Sequence, residues 1–131
     1  MSYNAASLAG RPLAQVGLTV RNLERARNFY RDVLGLPLLF EASGMMFFQL
    51  QGLRLMVGLE HKPGQPIGGS PLYFEAPDID AAGPALEAKG VVFTGEATVV
   101  QRTATHELKL REFFDPDGNA LALMGQVARK A

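Results

Sequence analysis

Along the chain the spacing of apolar and polar positions changes period several times, and each change marks a new element. From Gln15 to Val20, "QVGLTV" alternates, the two-residue period of a strand with one buried face. "RNLERARNFYRDVLGLP" then sets Leu23, Ala26, Phe29, Tyr30, Val33 and Leu34 at helical spacing, with Asn22 to cap the start and Gly35 the end. Pro37 forbids continuation, so "LLFEA", "MMFFQL" and "LRLMVGL" predict three short strands separated by glycine-containing turns. After the connector "EHKPGQPIGGSP" the order restarts. "LYFEA" predicts a strand, Asp78 caps a helix through Ile79, Ala82, Leu86 and Ala88 that Gly90 ends, and strands follow in "VVFTGEATVVQR", "HELKLREFF" and "NALALMG". Pro84 falls inside that helix, which is therefore expected to be short or bent.

Strand, helix and three strands thus occur twice, an α+β pattern. A chain of 131 residues is long enough for one domain or for two small modules sharing a core, and too short for two independent domains. The expected organisation is a single domain over 1–131, with module one at about 13–60, the connector at 61–70 and module two at about 71–126. Thirteen basic residues balance thirteen acidic ones, which leaves no electrostatic reason to seek nucleic acid or anionic lipid. The start "MSYNAASLAGRPLAQ" lacks the basic and apolar regions of a signal peptide, and the most apolar stretch elsewhere carries Arg54, so no membrane span is expected. The absence of cysteine removes disulfides and thiolate chemistry together and fits a reducing cytoplasm.

Two copies of βαβββ, with "VGLTVRNLERARNFYRDVLGL" opening the first and "LYFEAPDIDAAGPALEAKG" and "FFDPDGNALALM" marking the second, resemble the vicinal oxygen chelate superfamily, the group of glyoxalases, bleomycin-resistance proteins and extradiol dioxygenases. The resemblance implies that the modules pair as a curled mixed sheet, a cup with helices outside and a ligand cavity on the concave face, in a homodimer. Alternation agrees independently. Val16, Leu18 and Val20 supply a helix-facing side, and the opposite parity sends Gln15, Gly17 and Thr19, then Arg54 and Met56, Tyr73 and Glu75, and Ala120 and Ala122, into the cup.

Four metal-ligand positions implied by the resemblance fall on Gln15, Met56, Pro71 and Ala122. Glutamine suits such a place, but proline and alanine have no donor atom and a thioether is a poor ligand for hard or borderline divalent ions. No metal and no other cofactor is therefore expected. Gln15 also fits the plainer role of a polar residue at a strand start, hydrogen-bonded to a neighbour.

A regular hairpin closed by "DPDG" sets Phe114 opposite Ala120 and Glu112 beside Ala122, with Met46 beside Met56 in the corresponding place of module one. A carboxyl enclosed by Leu108, Leu110 and Phe114 suits general acid or base work. A slip of one residue would instead leave Glu112 in an exposed charged set with Glu107, Lys109 and Arg111. Arg54 can grip a ligand carboxylate or carbonyl while Tyr73 offers a stacking face, or Arg54 and Glu75 can pair across the cup. Met46, Phe48, Met56 and Met124 suit an adaptable apolar lining. His106 and His61 are expected at the surface, and the chain has no phosphate-binding glycine loop, zinc-type helix motif or nucleophile elbow. Two functions stay open: a metal-free protein that binds an apolar or aromatic small molecule, or a lyase, isomerase or dioxygenase using Glu112 as base with Gln15 or Arg54 at the developing oxyanion, or using a displaced metal.

Overall fold

Asn22 starts the first helix as its type predicts: the side-chain carbonyl accepts the Arg25 N–H at 2.9 Å, satisfying a donor that the first turn leaves free. The structure, a computed structural model, describes residues 6–60 and 66–130, so His61 lies outside the described residues. Strand β1 (Gln15–Val20) leads into helix α1 (Leu23–Arg27), which widens at once into a π-helical segment, Asn28–Val33. Its wider turn is closed by the Leu34 N–H donating to the Phe29 carbonyl at 2.9 Å. Phe29 and Tyr30, adjacent in sequence, are both buried there, edge to face at 5.2 Å.

Strands β2 (Leu38–Ala42), β3 (Met45–Leu50) and β4 (Leu53–Leu59) complete a sheet of order β1-β4-β3-β2, with β1 parallel to β4 and the other pairs antiparallel. Module two repeats the plan with β5 (Leu72–Glu75), α2 (Ile79–Glu87), β6 (Thr98–Arg102), β7 (His106–Phe114) and β8 (Ala120–Ala128), in the order β5-β8-β7-β6. The result is two four-stranded mixed sheets that do not close into a barrel. No described helix is long and apolar enough to cross a membrane.

"VVFTGEATVVQR" yields less strand than expected, for Phe93 makes one bridge to Phe113 and only Thr98–Arg102 pairs as β6. Arg111 fills the interruption: its guanidinium lies 4.1 Å from the centre of the Phe93 ring and its Nε donates to the Gly95 carbonyl at 3.0 Å, a bond that occupies this carbonyl outside any strand ladder. The exposed charged set that a slipped register would give on β7 does not form. Glu107 pairs with Arg102 at 2.6 Å, Lys109 with Asp80 at 3.3 Å, and the Arg111 side chain is only 14% exposed.

One apolar core serves both modules, drawing Leu18, Tyr30, Phe48 and Leu55 from the first and Ile79, Phe113, Leu121 and Leu123 from the second. Beside it runs a buried polar joint built on the "DPDGN" turn. One Asp115 oxygen accepts the N–H groups of Asp117 and Asn119, and the other accepts the Tyr30 hydroxyl at 2.7 Å and the Asn119 amide at 2.8 Å, so the carboxylate is fully satisfied. The same Asn119 amide donates to the Thr19 carbonyl at the end of β1, and Arg25 reaches Asp117 at 2.6 Å. Gly125 permits close approach on the other side, because a Cβ there would collide with the carbonyl of Ala76.

Candidate functional site

Parallel pairing of β1 with β4 sets Gln15 beside Arg54 and Gly17 beside Met56, on the face away from the helix. Arg54 Nη2 donates to Gln15 Oε1 at 2.9 Å, and Gln15 Nε2 points at Met56 Sδ, 3.8 Å away. The Arg54 guanidinium also lies 5.2 Å from the centre of the Phe47 ring, which stacks on Phe40 at 4.4 Å between centres. The first concave face is therefore an aromatic and thioether floor with an arginine held in place by Gln15. Arg54 makes no ion pair with Glu75 among the described residues, so of the two alternatives for Arg54 the bridge across the cup is not formed.

Met46 and Phe48, expected in the apolar lining of the cup, are instead fully buried on the helix side of the sheet, in the core. Met46 pairs with Val57, and it is Phe47 that stands opposite Met56. Turn length is the reason. Gln51 and Gly52 alone separate Leu50 from Leu53, with Gly52 at a φ of +81°, whereas Asp115 to Asn119 separate Phe114 from Ala120. Changing an odd loop to an even one shifts the register by one residue and exchanges the faces.

In module two the expected register holds, with Glu112 opposite Ala122 and Phe114 opposite Ala120. Tyr73 pairs with Ala122 and Glu75 with Met124 on the other flank of β8. Ala122 itself is fully buried. The open space lies beside it, a cavity of about 470 Å³ lined chiefly by Tyr73, Glu75, Leu108, Met124 and Gln126. Tyr73 is 52% exposed and Met124 38%, so this apolar wall is accessible. Leu110, opposite Met124 on β7, is half-buried and does not line the cavity. Glu112 is exposed rather than enclosed by Leu108, Leu110 and Phe114. Gln126 was missed in the sequence because the strand continues past Gly125 to Ala128. His106 is exposed, with Nδ1 at 2.9 Å from the Thr105 hydroxyl.

The four positions that would hold a divalent ion do not fit one. The Gln15 oxygen already accepts from a cationic guanidinium, Met56 offers only a thioether, and Pro71 and Ala122 offer nothing. No group of three or more histidine or acidic side chains gathers elsewhere among the described residues.

Comparison with known proteins agrees with the fold. The family model for the Glyoxalase/Bleomycin resistance protein/Dioxygenase superfamily matches residues 13–123. An antibiotic binding protein from a Streptomyces species superposes with a TM-score of 0.72 at 23% identity, over 92% of this chain and 100% of that one. An integron cassette protein from the mobile metagenome of the Halifax Harbour sewage outfall gives 0.69 at 26%, over 88% and 98%. A glyoxalase/bleomycin resistance protein from a Streptomyces species gives 0.64 at 26%, over 84% and 96%. No curated protein matches the chain.

Proposed function

We propose that this chain, which belongs to the Glyoxalase/Bleomycin resistance protein/Dioxygenase superfamily, binds a small apolar or aromatic organic molecule on its concave surface without a metal ion. The observation that carries this reading is the cavity of about 470 Å³ walled by Tyr73, Leu108 and Met124, on the face where the metal positions lack donors. A space of that size, apolar with a few polar groups at its edge, is what a small-molecule site requires. Phe40, Phe47 and Met56 give the first concave face the same character, with Arg54 as a fixed donor for a carbonyl or carboxylate. A protein described as antibiotic binding is built on this fold, a precedent for small-molecule binding by it.

The proposal includes a homodimer, because Gln15, Arg54, Tyr73 and Glu75 are all exposed in one chain and a second copy would cover them. It also places the chain in the cytoplasm, where a protein without cysteine needs no oxidising compartment, and assigns it no nucleic-acid partner, since its net charge is zero. A second reading, an enzyme of lyase, isomerase or dioxygenase type, rests on Glu112 standing opposite Ala122. Its exposure favours binding over acid–base chemistry, which works best in an enclosed site.

A neutral fluorescent aromatic, anthracene bearing a hydroxymethyl group on its central ring, tests the reading by titration. Binding is expected to saturate, to be unchanged by a chelator, and to weaken by a factor of about three to ten in Met124→Gln, which replaces part of the apolar wall by an amide. Absence of saturable binding, or its abolition by the chelator, would overturn the reading.

A further inference from the structure

The two concave faces differ in charge. On the first, the formal charge is that of Arg54, which Gln15 and the Phe47 ring hold. On the second, alternation along β5, β7 and β8 brings Glu75 and Glu112 to the surface and no lysine or arginine with them. The basic residues of β7, Lys109 and Arg111, belong to the opposite face and are tied to Asp80 and Glu87. Neither Glu75 nor Glu112 enters an ion pair among the described residues. Glu75 alone of the two lines the cavity, where its carboxylate shares the wall with the half-exposed Tyr73 ring, the Met124 thioether and Leu108.

We infer that the ligand of this second face is an organic cation, an aromatic or aliphatic body carrying a protonated amine that seats between Glu75 and Tyr73. The inference rests on the small-molecule reading above and names its ligand class. Three features of the wall fit such a molecule at once. A carboxylate supplies the counter-charge and accepts the ammonium hydrogens, a tyrosine face attracts a cation through its quadrupole, and a thioether and a leucine take the hydrocarbon body. A neutral ligand would leave the carboxylate to water and gain nothing from it. An anion would meet Glu75 at close range, and Glu112 lies on the same face.

The test uses three anthracenes that differ only in the group on the central ring: aminomethyl, hydroxymethyl or carboxylate. Each is titrated by fluorescence into the full chain, into Glu75→Gln, and into Glu96→Gln, which alters an exposed carboxylate outside the cavity. The amine is expected to bind about five-fold tighter than the alcohol, and the carboxylate weaker than both. In Glu75→Gln the amine should fall to the affinity that the alcohol has for the same variant, and saturable binding of the alcohol there reports an intact cavity. Glu96→Gln should keep the amine preference. Higher salt should reduce that preference in the parent. Equal affinity for amine and alcohol in the parent, persistence of the preference in Glu75→Gln, or tightest binding of the carboxylate would overturn the inference and leave the small-molecule reading standing. Failure of all three to bind would overturn both.

Discussion

The hydroxyl of Tyr30 donates to Asp115 across 2.7 Å in a place where the phenol has no exposed surface. Burial first, then the charge of Asp115, then this hydrogen bond hold the phenol's pKa well above its ordinary value, so it keeps its proton through the alkaline range. The sign of the linkage follows. The unfolded phenol titrates near pH 10 and the folded one above it, so the stabilisation is fully present below about pH 10 and is lost as pH rises beyond it. Replacing Tyr30 by Phe is expected to cost about 1–3 kcal/mol near neutral pH, because Asp115 loses a buried donor. Urea unfolding across a pH series should then show stability falling less steeply above about pH 10 in Tyr30→Phe than in the parent. Parallel curves would mean that the phenol does not couple to folding. Nothing in the helical spacing around Tyr30 announces this partner, because Asp115 is 85 positions away in the chain. Gln15, Arg54, Met56, Tyr73 and Glu75, in contrast, could be placed from the sequence, since alternation alone fixes the side of a strand on which they stand.

Hairpin turns decide which of those side chains share a face, and here the two modules part company. A two-residue turn in module one and the longer "DPDGN" turn in module two give opposite parity to the strands that precede them. Met46 and Phe48 consequently enter the core, while Phe40 and Phe47, which the alternation of "LLFEA" and "MMFFQL" does not single out, form the stacked floor of the cup. Runs such as "MMFF" are apolar on both faces, so periodicity carries no register information there. The strands and both helices were legible because Asn22, Pro37, Asp78 and the turn glycines punctuate them. The π-helical segment was not, since no breaker marks its start at Asn28. Met46→Ala is therefore expected to cost about 2–5 kcal/mol, the price of a cavity in the core, and Phe40→Ala, at a site already 45% exposed, less than about 1 kcal/mol. Chemical denaturation checks the order, and equal or reversed losses would contradict the assignment of faces.

On the scale of the whole molecule, the repeated module explains why the cup was foreseeable and its contents less so. Element order specifies the fold, but the chemistry of the concave faces depends on a few side chains that differ between the halves, an arginine with glutamine on one and glutamates on the other. Those faces lie open in a single chain, and an organic ligand covered by a second copy would bury Tyr73, Met124 and Phe114, which are otherwise exposed. Native mass spectrometry of the full chain, purified without chelator or metal-affinity resin, reads assembly, ligand and metal together. The expected species has twice the chain mass and carries an organic adduct released on denaturation and no divalent ion. A species holding one divalent ion per chain, with no organic adduct, would contradict this expectation.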